Sequence, residues 1–180
     1  MSAEMKTACQ FNFHRFYQEY FWHLAVRPMQ PCHLGAFAKI EAAVMAVVPS
    51  FQSIDMPSGE GKSAFAMAAA LWAQLYGHRT NIDLFKANRI TLEQLHREFK
   101  SEFSANKLLK EDFANEIASI EFSYEGPYQL KLHKKNSGKL YANQFAIMDC
   151  DTKSGIEMAA RALHLDMPYG IGFTKLEAQA

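Results

Sequence analysis

Residues 51–77 have the sequence FQSIDMPSGEGKSAFAMAAALWAQLYG. The first six alternate in character like a short β-strand. From Lys62 onward, helix-forming residues continue without interruption to Gly77, and glycine commonly follows a helix C-terminus. The order strand, glycine loop, helix predicts an α/β or α+β fold. A phosphate-binding loop here requires the strand to lie in a parallel sheet and Lys62 to lie in the first turn of the next helix. A helical 51–56 or a buried Lys62 would dispose of the phosphate-loop interpretation.

The loop itself, MPSGEGKS starting at Met56, carries the parts of a phosphate-binding loop. Glycines allow successive backbone amides to face phosphate oxygens, a lysine reaches the β and γ phosphates, and a hydroxyl holds magnesium. Gly59, Gly61, Lys62 and Ser63 supply these parts in order, in front of a predicted helix N-terminus. Met56 departs from the common pattern G-x-x-x-x-G-K-[ST], which has a glycine there. The alternative is an ordinary glycine turn before a helix whose lysine is only solvated.

The same eight residues resemble the first nucleotide-binding motif of SecA-type translocation ATPases, M-x-T-G-E-G-K-T, which also lacks the leading glycine. A looser similarity extends over residues 27–100. By this resemblance Lys62 would bind ATP phosphates and Ser63 would ligand magnesium. The family also needs a D-E pair after a hydrophobic strand to hold magnesium and position water, and this chain contains none. The resemblance therefore implies a fragment or degenerate copy that binds nucleotide without turnover.

The nearest substitute for the acidic pair is FAIMDCD at 145–151, which offers Asp149 and Asp151. Asp149 is the candidate for a second magnesium ligand beside Ser63. The alternative, which is the more common situation, is a strand end followed by a helix cap.

The segments around the loop predict helices before it and strands after it. Proline ends an aromatic helix at 10–26 and an alanine-rich helix at 33–48, and Thr91 with Gln94 forms a weak capping box for a helix at 90–103. Strand-like sequence begins at Ile117, and a turn at 136–138 predicts an antiparallel hairpin between YQLKLHKK and GKLYANQFAIMD. A last helix is expected at 154–165, completing a single domain over 1–180.

A second functional hypothesis is a non-enzymatic adaptor or a nucleic-acid-binding protein. The predicted hairpin concentrates basic side chains that suit phosphates, namely Lys131, Lys134, Lys135 and Lys139. The aromatic residues of segment 10–26 recur at helical spacing and would bind a partner if exposed. The structural alternatives, a solvated lysine-rich turn and an aromatic core helix, are the more common outcomes.

Composition limits the classes of protein that fit. The 180 residues include 19 basic and 19 acidic side chains, so no overall field steers the chain toward nucleic acid or anionic membrane. Cys9, Cys32 and Cys150 have neither disulfide nor zinc spacing and predict reduced thiols. The apolar stretches 36–48 and 64–75 are shorter than the roughly 20 residues of a membrane span. We therefore expect a cytoplasmic protein with a nucleotide as its partner.

Overall fold

A six-stranded mixed β-sheet forms the centre of this computed structural model, which describes residues 3–25, 28–48, 50–135, 144–149 and 169–175. Its strands are β1 (Ser50–Met56), β2 (Asn81–Lys86), β3 (Ile120–Tyr124), β4 (Gln129–Lys134), β5 (Gln144–Asp149) and β6 (Tyr169–Lys175). The helices are α1 (Ala3–Gln10), α2 (Phe13–Tyr20), α3 (Pro31–Met45), α4 (Lys62–Leu75), α5 (Arg89–Ala105) and α6 (Lys107–Ala118), with a 3₁₀ turn at Trp22–Leu24. The predicted α/β domain is confirmed.

The sheet has the order β1-β6-β5-β2-β4-β3. The first four strands in this order are parallel to one another, whereas β4 runs antiparallel to both β2 and β3. The carboxyl ends of β1, β5 and β2 therefore meet at one edge of the sheet. This edge is where ligands bind in open α/β sheets, and the predicted strand at 51–56 leads directly to it.

The core packs mainly around α4, whose residues from Phe65 to Leu75 are all buried. Small alanines allow this helix to lie close to its neighbours, and aromatic rings from α2 fill the space around it. The aromatic residues predicted to share one helix face are at most 2% exposed, namely Phe13, Phe16, Tyr17, Tyr20 and Phe21. They are core residues, so they do not offer the exposed aromatic surface that the adaptor hypothesis needs.

The predicted hairpin between 128–135 and 138–149 is wrong. Strand β2 lies between β4 and β5, pairing antiparallel with the first and parallel with the second. The strand that forms a hairpin with β4 is instead the preceding one, β3, and the turn between them contains Gly126 at a φ of 87°. The turn at 136–138 and the helix predicted at 154–165 lie outside the described residues.

The start of α5 also differs from the prediction. The capping residue is Asn88, whose Oδ1 accepts a hydrogen bond from the backbone N–H of Thr91 at 2.9 Å. Thr91 is therefore already inside the helix, and the Gln94 side chain contacts Glu98 rather than closing a capping box. Helices α1 and α6 had no predicted counterpart. Within the described segments, no helix has both the length and the apolar character needed to cross a membrane.

Candidate phosphate-binding site

The backbone of the loop between β1 and α4 has the conformation that its glycines permit. Gly59 and Gly61 both have a φ of 81°, in the left-handed region that disfavours a side chain. Gly61 is the N-cap of α4, and no acceptor within the described residues reaches the backbone N–H groups of positions 62–64. These are the open donors of a helix N-terminus, which carry partial positive charge.

An open cavity of about 460 Å³ lies beside this loop at the carboxyl edge of the sheet. Its walls are the loop residues 58, 59 and 61–64, the end of β2 with Lys86, the start of α5 with Asn88 and Thr91, and Asp149 at the end of β5. The volume falls within the roughly 300–1,000 Å³ typical of small-ligand sites. The N-terminal ends of two helices, α4 and α5, thus border one cavity.

Lys62 is the first residue of α4, as predicted, but its side chain is not open to solvent. The residue is 8% exposed, and its ammonium donates long hydrogen bonds to the carbonyl oxygens of Met56 (3.4 Å) and Pro57 (3.3 Å). This burial meets the criterion given above for rejecting the phosphate-loop interpretation, although that criterion does not consider whether a buried lysine still reaches the cavity. The side chain turns back over the loop, however, and still lines the cavity. No ion pair among the described residues includes Lys62, so the partners found there for this buried cation are two neutral carbonyls.

Ser63 and Asp149 come together as the magnesium hypothesis required. The Ser63 hydroxyl donates a hydrogen bond to Asp149 Oδ2 at 2.6 Å. A third side chain that the sequence did not single out joins them. The ammonium of Lys86 donates to Ser63 Oγ at 2.8 Å and forms an ion pair with Asp149 Oδ2. Lys86 and Asp149 are register partners at the ends of β2 and β5, so the sheet itself sets their contact.

This arrangement does not fit the predicted magnesium ion. Magnesium needs oxygen ligands at about 2.0–2.1 Å in near-octahedral geometry. Both oxygens assigned to it, Ser63 Oγ and Asp149 Oδ2, are hydrogen-bonded to the Lys86 ammonium, which carries the same sign of charge as the metal. Among the described residues, no group of three or more His, Cys, Asp or Glu side chains is arranged to hold a metal ion. Asp151 lies outside the described residues.

A histidine holds the loop from its other side. His33 in α3 accepts the backbone N–H of Gln30 at Nδ1 (2.8 Å), so Nε2 carries the proton. Nε2 lies 3.2 Å from the carbonyl oxygen of Glu60 and 3.3 Å from its carboxylate. Glu60, for which the motif gave no clear role, therefore ties the loop to α3. No pattern in the sequence indicated this contact.

The lysines proposed for nucleic-acid binding do not form one patch in the described structure. Lys131 and Lys134 lie three positions apart on β4, so their side chains leave opposite faces of the sheet. Lys134 lies close to Gly77, just beyond the C-terminal end of α4. Lys135 is exposed after the strand, and Lys139 lies outside the described residues. The strand is also interior to the sheet, between β2 and β3, rather than an exposed hairpin arm.

Cysteine chemistry gains no support from the two cysteines that are described. Cys9 is fully buried, and burial raises the pKa of its thiol to about 11. Because the thiolate is the nucleophile, Cys9 is unreactive near neutral pH. Cys32 is half-buried, and Cys150 lies outside the described residues.

Comparison with known proteins returned no relationship. No protein-family model matches the chain, no curated protein matches it, and no solved structure matches its fold. The resemblance to SecA-type ATPases therefore stays a prediction that rests on the loop residues.

Proposed function

We propose that the protein binds a nucleoside polyphosphate, with ATP as the first ligand to test, through the loop between β1 and α4. The observation that carries the proposal is the convergence at one 460 Å³ cavity of the two left-handed glycines, two helix N-termini and two lysines. Open backbone amides and helix N-termini favour anions. The similarity of MPSGEGKS to the SecA-type motif favours a nucleotide as the anion.

The charges lining the cavity support an anionic ligand. They comprise the ammonium groups of Lys62 and Lys86 and the carboxylate of Asp149, which leaves one net positive charge. Each ammonium has three donors and uses two of them within the described protein, so each keeps one donor for a phosphate oxygen. Because the lysines are largely buried, their attraction for phosphate is less screened than at an open surface.

Binding without hydrolysis follows from the acidic groups available. Hydrolysis of a γ-phosphate needs a residue that positions the attacking water, and SecA-type enzymes use a D-E pair for this step. This chain has no such pair. Asp149 is the only carboxylate among the described residues that line the cavity, and Lys86 and Ser63 already share it. We expect ATP to bind and to remain intact.

The direct test is calorimetric titration of ATP into wild type and Lys62→Ala. Loss of a charge-assisted hydrogen bond should weaken binding by about 10- to 100-fold. Lys100→Ala is the matched control, because Lys100 is an exposed lysine on α5 that does not line the cavity. It should leave the affinity unchanged. Equal affinities of wild type and Lys62→Ala, or no heat from a folded wild-type protein, would contradict the proposal.

A further inference from the structure

The Lys86 ammonium takes the position that a divalent cation would take between the loop serine and the strand aspartate. We propose that Lys86 is the resident cation of this site, so that the loop binds the polyphosphate of a nucleotide without magnesium. This inference rests on the proposed function and specifies it further, because it names the ionic form of the ligand as the metal-free nucleotide.

The position of Lys86 is determined by the backbone. Lys86 ends β2, Asp149 ends β5, and the two are direct register partners in neighbouring parallel strands. Side chains at paired positions of such strands leave the same face of the sheet. The backbone register therefore places the Lys86 side chain beside Asp149. The preceding residue, Phe85, is buried in the sheet.

The environment of the pair makes its displacement by a metal unfavourable. The side chains of Lys86 and Asp149 are 9% and 7% exposed, so a metal entering between them would face a nearby positive charge at low dielectric. To bind Ser63 Oγ and Asp149 Oδ2, magnesium would have to expel the ammonium from both of these partners. An uncompensated buried charge is strongly unfavourable.

The same ammonium has the capacity to contact phosphate. Two of its three N–H donors are directed to Ser63 Oγ and Asp149 Oδ2, and the third is left for a ligand in the cavity. Lys62 lines the same cavity and also keeps a donor. Two ammonium groups and the amides of the loop thus provide the positive charge that magnesium supplies to a metal-dependent nucleotide site.

The experiment is titration of ATP into the wild-type protein in two buffers, one with excess magnesium and one with EDTA. We expect ATP to bind at least as tightly in EDTA as in excess magnesium, because the site takes the metal-free nucleotide and magnesium withdraws ATP into its own complex. Sodium tripolyphosphate in EDTA should compete with ATP, because the phosphate chain carries the contacts. Binding only in the magnesium buffer would overturn the inference but leave the proposed function standing. Absence of binding in both buffers would refute the proposed function, and the inference with it.

Two variants test the role of Lys86 itself. Lys86→Met should weaken ATP binding in EDTA by about 10- to 100-fold, and added magnesium should restore part of the affinity because Ser63 and Asp149 become free to ligand it. Lys86→Arg keeps a cation at the strand end and should retain more of the EDTA affinity than Lys86→Met. If Lys86→Met does not fold, Lys86→Met/Asp149→Asn removes both charges of the pair and should also lose binding in EDTA. Wild-type affinity in EDTA for either folded methionine variant would overturn the assignment.

Discussion

Replacing Asp149 with asparagine removes the carboxylate opposite the Lys86 ammonium while leaving a side chain of nearly the same shape. Both side chains of the pair are more than nine-tenths buried, and Asp149 also accepts the Ser63 hydroxyl at 2.6 Å. Breaking a buried ion pair from one side costs about 3 to 5 kcal/mol of unfolding free energy. The open cavity lets water reach the ammonium, so we expect a value near 3 kcal/mol. For a chain of this length that corresponds to a melting temperature lower by about 6 to 12 °C.

Urea denaturation of a double-mutant cycle tests this value at neutral pH. Lys86→Met should be destabilised to a similar degree as Asp149→Asn, and the double variant should lose about 1 to 3 kcal/mol less than the two single losses added together. Glu93→Gln provides the matched control, because it breaks the Arg89–Glu93 pair, whose side chains are almost half exposed. That exposed pair should contribute at most about 1 kcal/mol. Additive losses in the Lys86 and Asp149 cycle would refute the view that the two charges stabilise each other.

Two further predictions concern stability away from the cavity. Arg79→Met should lower the unfolding free energy by about 2 to 4 kcal/mol in urea titrations. The reason is that the buried guanidinium donates to the carbonyl oxygens of Val44 (2.9 Å) and Ala46 (2.7 Å) at the end of α3. A loss below about 0.5 kcal/mol would contradict this prediction. In the folded protein, burial lowers the pKa of His78 below its ordinary 6.5. Below about pH 6.5 the unfolded chain therefore binds a proton that the folded chain does not bind. The free energy of unfolding should fall as the pH drops below about 6.5 and stay level above it. His78→Asn should show a shallower loss between pH 7 and pH 5, and an identical slope would contradict this assignment.

The sequence was sufficient to predict those parts of the fold that depend on neighbouring residues. The strand at β1, the glycine loop and α4 follow from alternation, from glycine at two left-handed positions and from a run of helix-forming residues. The partner of β4 was mispredicted because a turn signal at 136–138 describes only local geometry. Strand β2, about 50 residues earlier in the chain, takes the place beside β4 that the hairpin assigned to β5.

In the site, too, the residues close together in the sequence were predicted, and the contacts between distant residues were not. Gly59, Gly61, Lys62 and Ser63 were recognisable because they are consecutive or nearly so, and their spacing carries the chemistry. The burial of Lys62 was not predictable, because it depends on how the side chain folds back over the loop carbonyls. His33 lies 27 residues before the Glu60 carbonyl that it contacts, and no local pattern links the two residues.

Lys86 was missed for a more general reason. In the segment NIDLFK it is an ordinary lysine at the end of a strand, where a solvated side chain is expected. It becomes a cation of the site only through the parallel register that sets it opposite Asp149, in a sheet where β6 and β5 separate β1 from β2. A glycine-lysine-serine loop therefore specifies a place for phosphate but not the cation that accompanies it. That cation depends on which side chain a distant strand brings to the serine, and in this chain it is an ammonium group.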